Sequence, residues 1–146
     1  MRLFLTIEAQ NAFESGLADI FNEVNKQLSF VTDRDAGLES VDNYGTEFRV
    51  VSIIPTCVDD AFWSALGWKE RIKIWNNKRE ADIRLRMDYS CYMSETYENR
   101  RLLFIKTIIA SIRSLQERSR GDFKGELLVS DILRALHVQH SQLDNL

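Results

Sequence analysis

Trp68-Lys69-Glu70-Arg71-Ile72-Lys73-Ile74-Trp75 and Ala81-Asp82-Ile83-Arg84-Leu85-Arg86-Met87-Asp88-Tyr89 both alternate residue by residue, with Asn76-Asn77-Lys78-Arg79-Glu80 between them. This is the pattern of a β-hairpin. In the second run Ile83, Leu85, Met87 and Tyr89 share one side and Asp82, Arg84, Arg86 and Asp88 the other, the period-two signature of a half-buried strand. Keeping Ile72 and Ile74 on the same side as Ala81 and Ile83 requires an even-length connection. Asn76-Asn77 suits one, because Asn tolerates positive φ. That register sets Arg71 opposite Asp82 and Lys73 opposite Glu80, pairs that add about 0.2–1 kcal/mol each. Glu70 is turned inward by the same register and reads as a frayed strand end.

On the N-terminal side, Leu3, Leu5 and Ile7 alternate with Phe4, Thr6 and Glu8. A strand apolar on both sides is expected there, central in its sheet. Phe13, Leu17, Ile20, Phe21, Val24 and Leu28 then fall at helical spacing, opposite Glu14, Asp19, Glu23 and Lys26. These predict an amphipathic helix from about Ala12 to Ser29, capped by Asn11. The periodicity breaks between Thr32 and Glu47, where Asp33, Asp35, Glu39, Asp42 and Glu47 are relieved only by Arg34. This is an acidic loop. Phe48 to Ile54 reads as a second, interior strand closed by Pro55, which lacks an N–H for a continuing ladder. Thr56 to Gly67, with Asp59-Asp60 and Phe62-Trp63-Ala65-Leu66, reads as a short helix.

Beyond the hairpin, a long helix is expected to start at Ser94, with Glu95 and Glu98 in its first turn, where acids complement the exposed N–H groups. Its apolar stripe is Leu102, Ile105, Ile108, Ile109, Ile112 and Leu115, and it ends near Gly121 after Arg113, Arg118 and Arg120. A last amphipathic segment uses Leu127, Leu128, Ile132, Leu133 and Leu136. Periodicity is lost after Val138, so the tail after about 138 is expected to be poorly ordered. The element order implies one α+β domain over 1–146. Its expected core is a sheet of about four strands, mainly antiparallel, with helices packed chiefly on one face.

The 146 residues include one proline and six glycines, fitting a single compact domain. The net charge of −3 and pI near 5.4 argue against general nucleic-acid binding. Cys57 and Cys91 are too few and too separated for a disulfide framework or a zinc signature, and read as reduced cytosolic thiols. With neither a signal peptide nor a span of roughly 20 apolar residues, the expected location is cytoplasmic.

No common catalytic constellation is supplied. The glycines match neither phosphate-binding pattern. His137 and His140 sit three apart without a third ligand and read as solvent-exposed, so no metal and no cofactor is expected. A cysteine nucleophile would have only those two histidines as base. Asp82 and Asp88 lie among arginines that hold both ionised, which suits salt bridging better than acid–base work. Two rival readings remain. One is a nucleic-acid-binding module using Arg71, Lys73, Arg84 and Arg86 with Trp75; the other is a small enzyme using Asp82, Asp88 and Cys91.

The run Asn77-Lys78-Arg79-Glu80-Ala81-Asp82-Ile83-Arg84-Leu85-Arg86-Met87-Asp88-Tyr89 resembles the Lys-Arg-x-x-x-[aromatic or aliphatic]-Arg-Leu-[Lys or Arg]-[aliphatic]-Asp-Tyr segment of immunity protein family 44, from bacterial polymorphic-toxin systems. Val51-Ser52-Ile53-Ile54-Pro55 and Phe123-Lys124-Gly125-Glu126-Leu127-Leu128-Val129-Ser130-Asp131-Ile132-Leu133 are similar in order and character. The resemblance implies a small non-enzymatic cytosolic protein that binds and blocks one cognate toxin domain encoded nearby. Since many such toxins are nucleases with basic clefts, electrostatics makes Asp33, Asp35, Glu39, Asp42, Asp59 and Asp60 the first choice for toxin contact. The face of Arg71, Lys73, Arg84 and Arg86 is the second choice, suited to an acidic toxin surface.

Overall fold

A computed structural model of the chain describes residues 4–7, 15–28, 43–58, 72–77, 79–88 and 92–144. In chain order these form β1 (Phe4–Ile7), α1 (Ser15–Gln27), β2 (Val50–Val58), β3 (Ile72–Asn77), β4 (Glu80–Asp88), α2 (Tyr97–Arg118), α3 (Gly125–Leu136) and α4 (His140–Asp144). The four strands make one sheet in the order β1-β2-β4-β3.

The sheet is mixed, and two of its three pairings are parallel: β1 with β2 and β2 with β4. Among the described strands only β3 and β4 pair antiparallel. This corrects the expectation of a mainly antiparallel sheet. Period-two patterning is the same in either direction, so strand direction comes from which strands end up adjacent. Here the hairpin folds inward, and β4 rather than β3 lies against β2. The two nine-residue strands match residue for residue, from Val50 opposite Glu80 to Val58 opposite Asp88. In the described sheet these two strands take the centre, and β1 and β3 take the edges. The central position expected for β1 is therefore also corrected.

The hairpin register differs too. Asn77 pairs with Glu80, Trp75 with Asp82, Ile74 with Ile83 and Lys73 with Arg84, so two residues separate the strands. Lys73 does not face Glu80, Asp82 faces Trp75 rather than Arg71, and Arg71 itself lies outside the described residues. An even shift keeps Ile72 and Ile74 in step with Ala81 and Ile83, so the hydrophobic pattern accepts either register. The tight two-residue connection decides between them. Strand β2 runs through Pro55 instead of stopping there. Within the described strands Pro55 stands opposite Leu85 of β4.

Val51 and Ile53 on β2 lie beside Ala81 and Ile83 on β4, and all four are buried. Asp82 and Arg84 between them are exposed. The apolar face joins one cluster with Ile20, Phe21, Val24 and Leu28 of the α1 segment, the stripe of α2, and Leu128, Val129, Ile132, Leu133 and Leu136 of α3. Helix α2 starts three residues later than expected. Thr96 is its cap, its hydroxyl accepting from Asn99 N at 3.2 Å, and it ends at Arg118 rather than near Gly121. Phe104, absent from the expected stripe, is fully buried and meets Phe21 with ring centroids 4.4 Å apart. Arg101 ties three elements together, donating to Gln27 Oε1 on α1 and to the Leu136 carbonyl on α3 while pairing with Glu23.

Helix α3 closes on His137, which takes a left-handed conformation at φ 56°. Its N–H bonds the Arg134 carbonyl, and Val138 N bonds the Leu133 carbonyl at 3.0 Å. This is the Schellman ending, with a histidine where glycine is usual. Beyond it, in the tail expected to be poorly ordered, His140–Asp144 forms α4, and Val138 and Leu143 are buried. A five-residue helix is too short to display a period in sequence.

Candidate interaction surface

Two short segments distant in sequence meet at one end of the molecule. The loop 43–49 leads into β2, and 119–124 connects α2 to α3. Each lends the other a carboxylate. Asp122 accepts from Thr46 N at 2.8 Å, from Thr46 Oγ1 at 2.8 Å and from Glu47 N at 2.8 Å. In return Glu47 accepts from Ser119 Oγ, from Arg120 N at 3.2 Å and from Phe123 N at 3.3 Å. The reciprocal arrangement satisfies backbone donors on both segments that belong to no helix or strand. The hydrogen bonds from Thr46, with those from backbone N–H groups, hold the Asp122 carboxyl below the usual carboxylate range.

Glycine is required at the point of closest approach. Gly45 sits at φ +90°, and a Cβ there would stand 2.2 Å from the Asp122 carbonyl oxygen. Lys124 N donates to the Tyr44 carbonyl, the Tyr44 hydroxyl donates to Asp131 at 2.8 Å, and Phe48 packs edge-on against Phe123 at 5.2 Å. The hairpin tip is tied in as well. Arg79 Nη2 donates to the Thr46 carbonyl at 2.8 Å, and Arg49 N donates to the Arg79 carbonyl at 2.7 Å. Around this clasp Arg79, Arg118, Arg120 and Lys124 are exposed.

Elsewhere on the surface, Tyr97 is 45% exposed and its hydroxyl donates to Glu23 at 2.8 Å. That hydrogen bond, with some desolvation and the nearby acids, raises the Tyr97 pKa. A groove of about 340 Å³ runs between α2 and α4, floored by Leu103, Thr107, Ala110 and Leu143 and edged by Lys106 and His140. Among the described residues no group of three or more His, Cys, Asp or Glu could hold a metal ion. His137 and His140 are both exposed, and no helix among the described residues is long and apolar enough to cross a membrane.

Of the residues singled out for toxin contact, Asp33, Asp35, Glu39, Asp42, Asp59, Asp60 and Arg71 lie outside the described residues, as does Cys91. The others fall on the hairpin. Arg84 is exposed on β4, Lys73 stands directly across the ladder from it, and Arg86 follows two residues on. Glu47, read as part of the acidic loop, turns inward into the clasp instead. Nothing local in the sequence links Gly45 to Asp122, since the two lie more than 70 positions apart.

The profile of the immunity protein 44 family matches residues 1–137, nearly the whole chain and all of the sheet, α1, α2 and α3. The chain belongs to the immunity protein 44 family. Neither the curated proteins nor the solved structures contain a match. The matched span of this family member also covers both halves of the clasp, and only α4 lies beyond it.

Proposed function

We propose that this member of the immunity protein 44 family protects the cell that makes it by binding one cognate toxin domain, encoded nearby, and blocking it as a protein–protein inhibitor. The observation that carries this reading is the family match across residues 1–137. In this reading the chain is a cytoplasmic partner in a polymorphic-toxin system of the contact-dependent kind, and it acts as a shaped surface, not as an enzyme. The toxin is a nuclease with a basic cleft, and Asp33, Asp35, Glu39, Asp42, Asp59 and Asp60 make the contact, since complementary charge speeds encounter between such partners. The second contact face uses Lys73, Arg84 and Arg86 with Arg71. In its favour, the register puts Lys73 directly opposite Arg84.

Co-expression with the toxin-like domain encoded by the adjacent reading frame tests the proposal. Growth should be restored, and the two chains should leave a sizing column as one stoichiometric complex. Absence of both rescue and association would end the reading. If they associate, replacing Asp33, Asp35, Glu39 and Asp42 by their amides should slow association about tenfold or more at low salt, and less as salt rises. An unchanged association rate removes the acidic stretch from the interface.

A further inference from the structure

We propose that the end of the molecule built from the hairpin tip, the loop 43–49 and the α2–α3 connection is a basic docking surface for an acidic stretch of a protein partner. That the partner is a toxin rests on the reading above; the docking chemistry rests on this end alone.

Charge is the first reason. Arg49, Arg79, Arg120 and Lys124, with Arg118 at the end of α2, lie there together with four carboxylates, those of Glu47, Glu80, Glu117 and Asp122. Five cations against four acids leave the end one charge positive on a chain whose net charge is −3. Two of the acids are engaged by donors of the clasp. Asp122 and Glu47 each accept three hydrogen bonds across the clasp, which uses most of the lone pairs a competing cation would need. Glu80 is taken by Arg49 at 3.2 Å. Arg118, Arg120 and Lys124 are exposed and form no ion pair with a described residue.

Rigidity is the second reason. The Arg79 guanidinium is aimed by the Thr46 carbonyl, Arg120 N is held by Glu47, and Lys124 N is held by Tyr44. Cations on a backbone already pinned lose less freedom on binding than cations on a loose loop. Arginine predominates, and its planar fork matches carboxylates in pairs. An acidic polypeptide fits better than nucleic acid, because Glu47, Glu80 and Asp122 interrupt the positive field that a continuous phosphate chain would track.

The test uses the full chain and labelled poly-L-glutamate at low ionic strength, read by fluorescence anisotropy. The wild type should bind, the double variant Arg120→Glu, Lys124→Glu should bind at least tenfold more weakly, and the double Gln variant should fall between. Lys26→Glu, a reversal on the exposed face of α1, should change binding less than twofold. Equal binding by wild type and the double Glu variant overturns the proposal. So does tighter binding of a 20-mer oligodeoxythymidylate that the double reversal abolishes, which would make nucleic acid the occupant. Should the double reversal lower the melting temperature, the Gln pair, which adds no repulsion, carries the comparison. The same variants are then titrated with the co-expressed toxin domain. If the wild type associates with it and the double Glu variant binds equally well, the docking surface falls and the toxin reading stands. If the wild type does not associate, the toxin reading falls whatever poly-L-glutamate shows.

Discussion

Three residues carry local consequences that can be measured one at a time. Gly45 holds a left-handed φ of +90° against the Asp122 backbone, so Gly45→Ala meets both strain and overlap. The expected loss is about 2–3 kcal/mol, which lowers the melting temperature by roughly 4–12 °C for a domain of this size. His137 is the opposite case, since a β-carbon already sits at φ 56° in a position that glycine fills without strain. His137→Gly should stabilise by about 0.5–1 kcal/mol, seen as a higher urea midpoint with an unchanged slope. For Asp122 the sign follows from its lowered pKa. A carboxyl that is easier to ionise in the folded chain than in the unfolded one adds stability above the ordinary carboxylate range and loses it as the pH falls through the folded pKa. Urea midpoints measured at pH 7 and pH 3 should therefore fall further for the wild type than for Asp122→Asn. Equal falls would show that the clasp carboxylate is not coupled to folding.

At the level of elements, helix α2 shows how far periodicity reaches. The stripe Leu102, Ile105, Ile108, Ile109, Ile112 and Leu115 is legible as a 3.6-residue repeat, and all six are buried. Phe104, Thr107 and Ser111 are buried as well, which one stripe does not predict. They are covered because α2 is packed from more than one side, with α1 meeting Phe104 through Phe21 and α3 and α4 approaching elsewhere. Thr107 and Ser111 stay satisfied inside by bonding the carbonyls of Leu103 and Thr107, each one turn back. Phe104→Ala should cost about 3–5 kcal/mol, more than a single-stripe reading of the helix allows. Chemical denaturation that found under 1 kcal/mol would place Phe104 at a yielding edge of the core. The hairpin is the second such case. Its two strands and their apolar faces are readable from alternation, whereas its register is not, because shifts by an even number leave the same residues on the same side.

For the whole molecule, binding should be visible as stability. A partner that binds the folded chain alone, at a free concentration about a hundred times its Kd, adds about 2.7 kcal/mol. The melting temperature should then rise by roughly 5–11 °C in the presence of the inactivated toxin domain. A melting curve that does not move at that excess means the two do not bind.

Alternation at period two and recurrence at period 3.6 are properties of a few successive residues. Ile83 against Asp82 and Arg84 on β4, and Ile20, Phe21, Val24 and Leu28 in the first helix, therefore announce their faces wherever their elements are placed. The family resemblance is legible for a similar reason, since it is carried by short runs such as Val51–Pro55 and Asn77–Tyr89 that lie within the matched span. Strand order is another matter. Whether β3 or β4 lies beside β2 depends on which long-range pairing satisfies more backbone and buries more surface, and that comparison exists only when the chain is folded. The clasp is of the same kind. Glu47 and Asp122 are ordinary surface acids until folding brings the loop 43–49 against the α2–α3 connection, where unpaired N–H groups await a carboxylate.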